Sequence, residues 1–164
     1  MGGDLAHELV GFADADWGED EGDRKSTTGY VFKMNSGAIS WSSRKQQLVT
    51  WSTAEAEYVA VGEAAREAVY LRHLFGSMGF GSEESTVIRE DNKSTIKISE
   101  GSGSHRRTKH IDIRWHAIRD WVREGVLSLK YIPTEQQPAD ILTKGVSKVK
   151  FEMLRELLMS KSST

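Results

Sequence analysis

Four acidic residues stand where local structure gives the least reason for them: Asp14, Glu57, Asp91 and Asp140. Asp14 lies within Phe12-Ala13-Asp14-Ala15-Asp16-Trp17, where apolar and acidic residues alternate as in a half-buried strand. Side chains at i and i+2 share a strand face, so Asp14 and Asp16 point to one side, and carboxylates suit mid-strand positions poorly. Glu57 falls in the first turns of a long helical stretch. Asp91 follows a strand, at the end where a crossover sheet presents its ligand sites. Asp140 begins a helical stretch after a loop bounded by Pro133 and Pro138. Such oxygen ligands suit hard divalent cations, and Mg²⁺ takes a few carboxylates plus water and substrate phosphate. Two ions about 3.5–4 Å apart can activate a water and stabilise the leaving oxygen in phosphodiester cleavage. Each acid also has a local explanation. Glu57 favours a helix N-terminal dipole, Asp140 suits an N-cap and Asp91 suits a turn. Glu55 is explained as the capping partner of Ser52, and Asp16 stays open between ligand and neighbour.

Other chemistries find less support. The chain has no cysteine, which excludes disulfides and thiolate zinc sites. His110 and His116 are six apart and do not share a helical face, so with His105 they make a poor zinc site. No glycine-rich phosphate loop and no Ser/His/Asp arrangement stands out. No stretch approaches the roughly 20 apolar residues of a membrane span. Net charge is −2, but it is unevenly spread: residues 1–23 hold eight acids and no Lys or Arg, whereas residues 105–130 hold seven Lys/Arg against three acids. An acidic cluster beside a basic stretch suits a metal-dependent enzyme acting on a polyanion; an unevenly charged solvated surface is the alternative.

The elements that must position these acids follow from periodicity. The 164 residues suit one domain with a real core. Residues 8–17, 27–34 and 38–43 read as three short strands joined by turns, an antiparallel meander. Ser52-Thr53-Ala54-Glu55 is a capping-box pattern opening a long helix that ends at Gly76–Gly81, with Tyr58, Val61, Ala65, Ala68 and Val69 at helical spacing. A strand over 86–88 runs into Glu90-Asp91-Asn92, and 94–99 reads as a short helix. Residues 108–124 read as a second long helix, with Ile111, Trp115, Ile118 and Val122 as its buried stripe. A fifth strand spans 126–132, and helices follow at 139–143 and 148–159. The order β-β-β-α-β-α-α-β-α-α implies an α/β architecture, a mixed sheet flanked by helices. Met1-Gly2-Gly3 resembles an appended start, so the chain reads as a piece of something longer, with 1–7 as linker and 160–164 as a disordered tail.

Several stretches together resemble the ribonuclease H domain of copia-type (Pseudoviridae) LTR retrotransposon Pol polyproteins. They are Phe12 to Trp17, Asp23-Arg24-Lys25-Ser26-Thr27-Thr28-Gly29-Tyr30, Ser52 to Tyr58, Glu90-Asp91-Asn92, Arg107-Thr108-Lys109-His110-Ile111-Asp112-Ile113-Arg114, and Tyr131 through Lys144. The resemblance covers about residues 9–158 and implies a ribonuclease H domain over 8–159. The implied fold is RNase H-like, a five-stranded mixed sheet with three antiparallel strands followed by parallel ones. The implied activity is hydrolysis of the RNA strand of RNA/DNA hybrids during reverse transcription, with two Mg²⁺ ions for which Mn²⁺ substitutes. The family's four acids map onto Asp14, Glu57, Asp91 and Asp140, with Asp14 as the ligand bridging two ions and Asp16 in a supporting role. The implied partners are an RNA/DNA hybrid and the reverse transcriptase domain of the same polyprotein, with no membrane. The isolated domain is expected as a monomer, and the implied location is a cytoplasmic virus-like particle, with the nucleus as the other possibility.

The wider superfamily carries a loop histidine about ten residues before the last Asp. Residues 130–138 hold none here, so His116 and Glu135 are the candidate auxiliary residues in its place. For substrate, Ser26, Thr28, Gln46 and Gln47 on the hairpin edges and Asn92 beside Asp91 are candidate polar contacts to an A-like duplex with 2′-hydroxyls. Arg106, Arg107, Lys109, Arg114 and Arg119 are candidate phosphate contacts. Two other readings are weighed against cleavage of hybrids. One is an inactive RNase H-like module serving as connector or nucleic-acid binder. The other is an integrase or transposase of the same fold, which would expect a Glu as its last acid.

Overall fold

The three alternating runs at the start of the chain form β1 (Leu9–Asp16), β2 (Thr27–Met34) and β3 (Gly37–Lys45). In the computed structural model, which describes residues 8–18, 22, 24–35, 37–102 and 116–159, they make an antiparallel meander. The β2–β3 turn passes through Asn35 at a φ of 55°, a left-handed conformation that Asn tolerates better than most residues. α1 (Thr53–Ser77) then crosses over to β4 (Thr86–Glu90), because strands that lie parallel cannot be joined by a tight turn. α2 (Lys93–Ser99), α3 (Ala117–Arg123), β5 (Leu127–Tyr131), short 3₁₀ turns at Thr134–Gln136 and Pro138–Leu142, and α4 (Lys148–Leu158) complete the order. The sheet runs β3-β2-β1-β4-β5, antiparallel on one side of β1 and parallel on the other, as the expected mixed sheet requires.

α1 is buried on every side in its first turns: all residues from Glu55 to Gly62 are interior. Ala56, Ala60, Ala64, Ala65 and Ala68 let its backbone approach the sheet closely, and Tyr58, Phe32, Ile88, Ile118 and Leu127 fill the space around it. A one-sided apolar stripe therefore understates how deeply Glu57 sits. The capping box forms with one change: Ser52 accepts from the Glu55 amide at 3.2 Å, but the Glu55 carboxylate accepts from the Trp51 amide at 2.6 Å.

One expected element differs. The stretch 139–143 is a 3₁₀ turn, and its cap is Gln137, whose side chain accepts from the Ala139 amide; Asp140 neither caps nor begins a helix. Of the helix expected at 108–124, Ala117–Arg123 is seen, and Ile118 is buried as expected. Ile111 and Trp115 lie outside the described residues, as does the tail at 160–164. Among the described residues no helix is long and apolar enough to cross a membrane.

Candidate active site

Ladder pairing between β1 and β4 ends at Phe12 and Arg89. Asp14 and Asp91 each lie two residues further on, so both carboxylates stand where parallel strands stop sharing hydrogen bonds, at the carboxyl ends that form ligand crevices. Gln137 fills the gap. It is fully buried and its amide donates to Ala13 O at 2.8 Å and, more weakly, to Arg89 O at 3.4 Å.

Glu57 reaches this place from α1. Oxygen atoms of Asp14, Glu57 and Asp91 all lie within 4.8 Å of one another. Asp14 and Glu57 are buried and Asp91 is half-buried. Together they line an open groove of about 630 Å³, with Asp16, Trp17, Asn92, Tyr131 and Lys144 at its walls. A second groove, about 400 Å³, lies between β3 and α1, and within it Arg44 lies 3.2 Å from Glu63.

Asp140 arrives on the 3₁₀ turn, which presses on β2 at Gly29, the residue registered opposite Asp14. A Cβ on Gly29 would meet Thr143 Cγ2 at 2.7 Å and Leu142 Cβ at 2.8 Å, so only glycine lets the turn sit here. The same turn brings the Thr143 hydroxyl to donate to Asp14 Oδ2. Asp140 is fully buried and is met by two ammonium groups, Lys144 at 3.1 Å on Oδ1 and Lys150 at 2.6 Å on Oδ2. Lys144 also lies 3.5 Å from Asp14 Oδ2. The four acids thus form two unequal halves that share Asp14: the Asp14–Glu57–Asp91 triad, and an Asp14–Asp140 pair bridged by Lys144.

Electrostatics follow from this geometry. Burial, reinforced by Asp140 and Asp91, pushes Asp14 from 3.8 to about 7 despite the opposing pull of Lys144 and Thr143. Burial, then the neighbouring Glu90, Asp14 and Asp91, holds Glu57 well above the usual carboxylate range. Glu57 Oε2 is buried with no hydrogen-bond partner among the described residues. An orphaned buried oxygen within a carboxylate triad fits a hard divalent cation, which would relieve both the desolvation and the repulsion. For Lys144, burial lowers the pKa, but the surrounding carboxylates outweigh it and the net shift is upward.

The remaining candidates are scattered. Asp16 is half-buried and lines the groove. Asn92 also lines it, but its Oδ1 accepts from the Ser94 and Thr95 amides and caps α2. Ser26, Thr28 and Gln46, expected as polar contacts at hairpin edges, are instead interior braces. Ser26 bonds Thr50, and the Gln46 amide donates to Thr28 Oγ1 and Ala56 O, both at 2.9 Å, tying the hairpin to α1. Gln47 alone of that group is exposed. Arg119, expected on phosphate, turns inward and donates to Ile98 O at the end of α2. Arg106, Arg107, Lys109 and Arg114 lie outside the described residues. His116 is half-buried just before α3 and is not among the groove residues; Glu135 is exposed on the Thr134–Gln136 turn, whose Thr134 lines the groove.

Sequence reasoning assigned no chemistry to Gly29, Gln137, Thr143, Lys144, Lys150 or Glu90. Lys144 had a readable signal, since it lies four residues after Asp140 in a helical stretch, where opposite charges meet. Glu90 is fully buried, with Oε1 accepting from the Asn92 amide at 2.9 Å and burial raising its pKa well above the usual range. Adjacent Glu-Asp at a strand end does not reveal which of the two turns inward.

No protein-family model matches the chain. The Retrovirus-related Pol polyprotein from transposon TNT 1-94 of Nicotiana tabacum is 44% identical over 150 residues, 92% of this chain and 11% of the relative. That from transposon RE2 of Arabidopsis thaliana is 37% identical over 144 residues, 88% of this chain and 10% of the relative. The chain therefore spans about a tenth of the length of these relatives. Among solved structures, the N-terminal RNase H domain of a Mycobacterium tuberculosis protein superposes with a TM-score of 0.60 at 15% identity, covering 91% of this chain and 96% of that one. LC11-RNase H1, solved in complex with an RNA/DNA hybrid, gives 0.60 at 19% identity, covering 83% and 94%. At such identities the likeness shows the fold.

Proposed function

From a chain that belongs to the copia-type retrotransposon Pol family and has the RNase H fold, we propose a hydrolase that cuts the RNA strand of RNA/DNA hybrids with divalent cations. The observation that carries this reading is the meeting of Asp14, Glu57 and Asp91, from three separate elements, with their oxygens within 4.8 Å in one groove. These three would hold a Mg²⁺ or Mn²⁺ ion, and Asp140 with Asp14 would serve a second. When bound, the ions supply an activated water and stabilise the departing oxygen. The chain's own residues do the positioning. Thr143 fixes the Asp14 carboxylate, Gln137 ties the Asp140 turn to β1 and β4, and Gly29 gives that turn its seat. Gln47 and Asn92 remain candidates for contacts to the hybrid, and the basic run 105–130 for its phosphates. The reverse transcriptase region of the same polyprotein is the proposed covalent partner.

The inactive-module reading is disfavoured by the cost of the triad. A connector gains nothing from burying carboxylates whose repulsion no cation relieves. Cleavage of labelled RNA/DNA hybrid, RNA/RNA and DNA/DNA duplexes in Mg²⁺ and in Mn²⁺ tests the proposal. Hybrid-selective cutting by the wild type, lost in Asp91→Asn, is expected. No cutting by the wild type in either metal would favour the inactive module.

A further inference from the structure

Among the described residues, Lys144 is the one cation placed between two of the four acids. Its ammonium is 3.1 Å from Asp140 Oδ1 and 3.5 Å from Asp14 Oδ2, and its side chain lines the same groove as Asp14, Glu57 and Asp91. Asp140 is absent from the carboxylate cluster close enough to share an ion; that cluster is Asp14, Glu57 and Asp91. Charge tells the same story. Once metal binding has ionised them, four carboxylates facing two ammonium groups leave two negative charges, which is the charge of one divalent ion. Lys150, on α4, is anchored, since its Nζ sits 2.6 Å from Asp140 Oδ2 and also reaches Thr134 O at 3.4 Å. The Lys144 side chain keeps 33% of its surface in solvent and has room to withdraw.

We propose that the Lys144 ammonium is the resident cation of the Asp14–Asp140 half of the site, so that a second divalent ion enters that half only by displacing it. The inference rests on the metal-nuclease reading above and deepens it. The triad is a standing site for one ion. The second position is a contested one, filled at higher metal concentration or when substrate phosphate adds oxygen ligands that favour the metal over the lysine. A lysine that merely pinned the 3₁₀ turn to β1 would affect stability but leave metal stoichiometry alone.

Titration of the full chain with MnCl₂, followed by calorimetry and by the Mn²⁺ spin signal of the free ion, separates these roles. The wild type is expected to bind one ion tightly and a second at least about tenfold more weakly, a modest factor because solvent screens a partly exposed ammonium. Lys144→Met should tighten the second ion by about tenfold, Lys144→Arg should behave as wild type, and adding Asp140→Asn to Lys144→Met should remove the gain. Lys144→Gln, which keeps a polar end, serves the same purpose should the Met variant fail to fold. A second-ion affinity unchanged in both Lys144→Met and Lys144→Gln, or a wild type with two equal sites, overturns the proposal. If the wild type cuts hybrid and binds metal while these variants titrate like it, only the role of Lys144 falls. If the wild type neither binds Mn²⁺ nor cuts hybrid, the nuclease reading falls and takes this one with it.

Discussion

Replacing Gly29 by alanine tests whether the seat of the 3₁₀ turn controls the site. Gly29 does not adopt a left-handed φ, so the substitution carries no backbone penalty and acts through space alone. The new Cβ would lie 2.7 Å from Thr143 Cγ2, 2.8 Å from Leu142 Cβ and 3.2 Å from Ala139 O, against an ordinary contact of 3.4 Å or more. The turn must therefore retreat by about 0.7 Å, or β2 must move the same distance the other way. Overpacking of this kind costs about 1–3 kcal/mol, which for a chain of this size lowers the melting temperature by roughly 2–12 °C. The catalytic effect should exceed the stability effect, because Asp140 and Thr143 ride on the displaced turn. Misplacement by about an ångström costs on the order of a hundredfold in rate, so a loss of about 10- to 100-fold in hybrid cleavage is expected at a temperature where the variant is fully folded. Thermal melting gives the first quantity and single-turnover cleavage with saturating Mn²⁺ the second. A variant within 1 °C of wild type and within about twofold in rate would refute the idea that Gly29 is there to admit the turn.

Three further outcomes follow from the same geometry. In metal-free protein Asp14 titrates near 7 rather than 3.8, so the native state holds a proton that the unfolded chain has released. Stability in chelator should then fall as pH rises from about 4 to about 7, by up to about 1.4 kcal/mol per pH unit from this group. Urea melts at several pH values should show a shallower fall in Asp14→Asn, and an identical slope would contradict the assignment. Gln137→Ala leaves the buried Ala13 carbonyl without its 2.8 Å donor and opens a hole, so a loss of about 2–3 kcal/mol in urea denaturation is expected; a change under about 0.5 kcal/mol would show the brace to be dispensable. Thr143→Val, which keeps shape but removes the donor to Asp14, should weaken Mn²⁺ binding by about tenfold with little change in fold, and unaltered calorimetry would discount that contact.

The sequence alone determined most of what is local. Alternation marked β1 and set Asp14 and Asp16 on one face, the Ser52 capping box opened α1 ahead of Glu57, and the turn after β4 set off Asp91, because each signal lies within a few residues. The family's motif order supplied the link between the four acids that periodicity could not. Only the tertiary structure decided which polar residues turn inward. Ser26, Thr28 and Gln46 look like hairpin-edge contacts until α1 and Thr50 close over them, and Arg119 looks like a phosphate contact until Ile98 O is found beside it. The same holds for the Asp140 half of the site. Thr143 and Asp14 are 129 residues apart, and Lys150 reaches Asp140 from the following helix. No local period encodes such meetings. They depend on Gly29 leaving a space the width of a methyl group opposite Asp14, a property of two strands and a turn packed together.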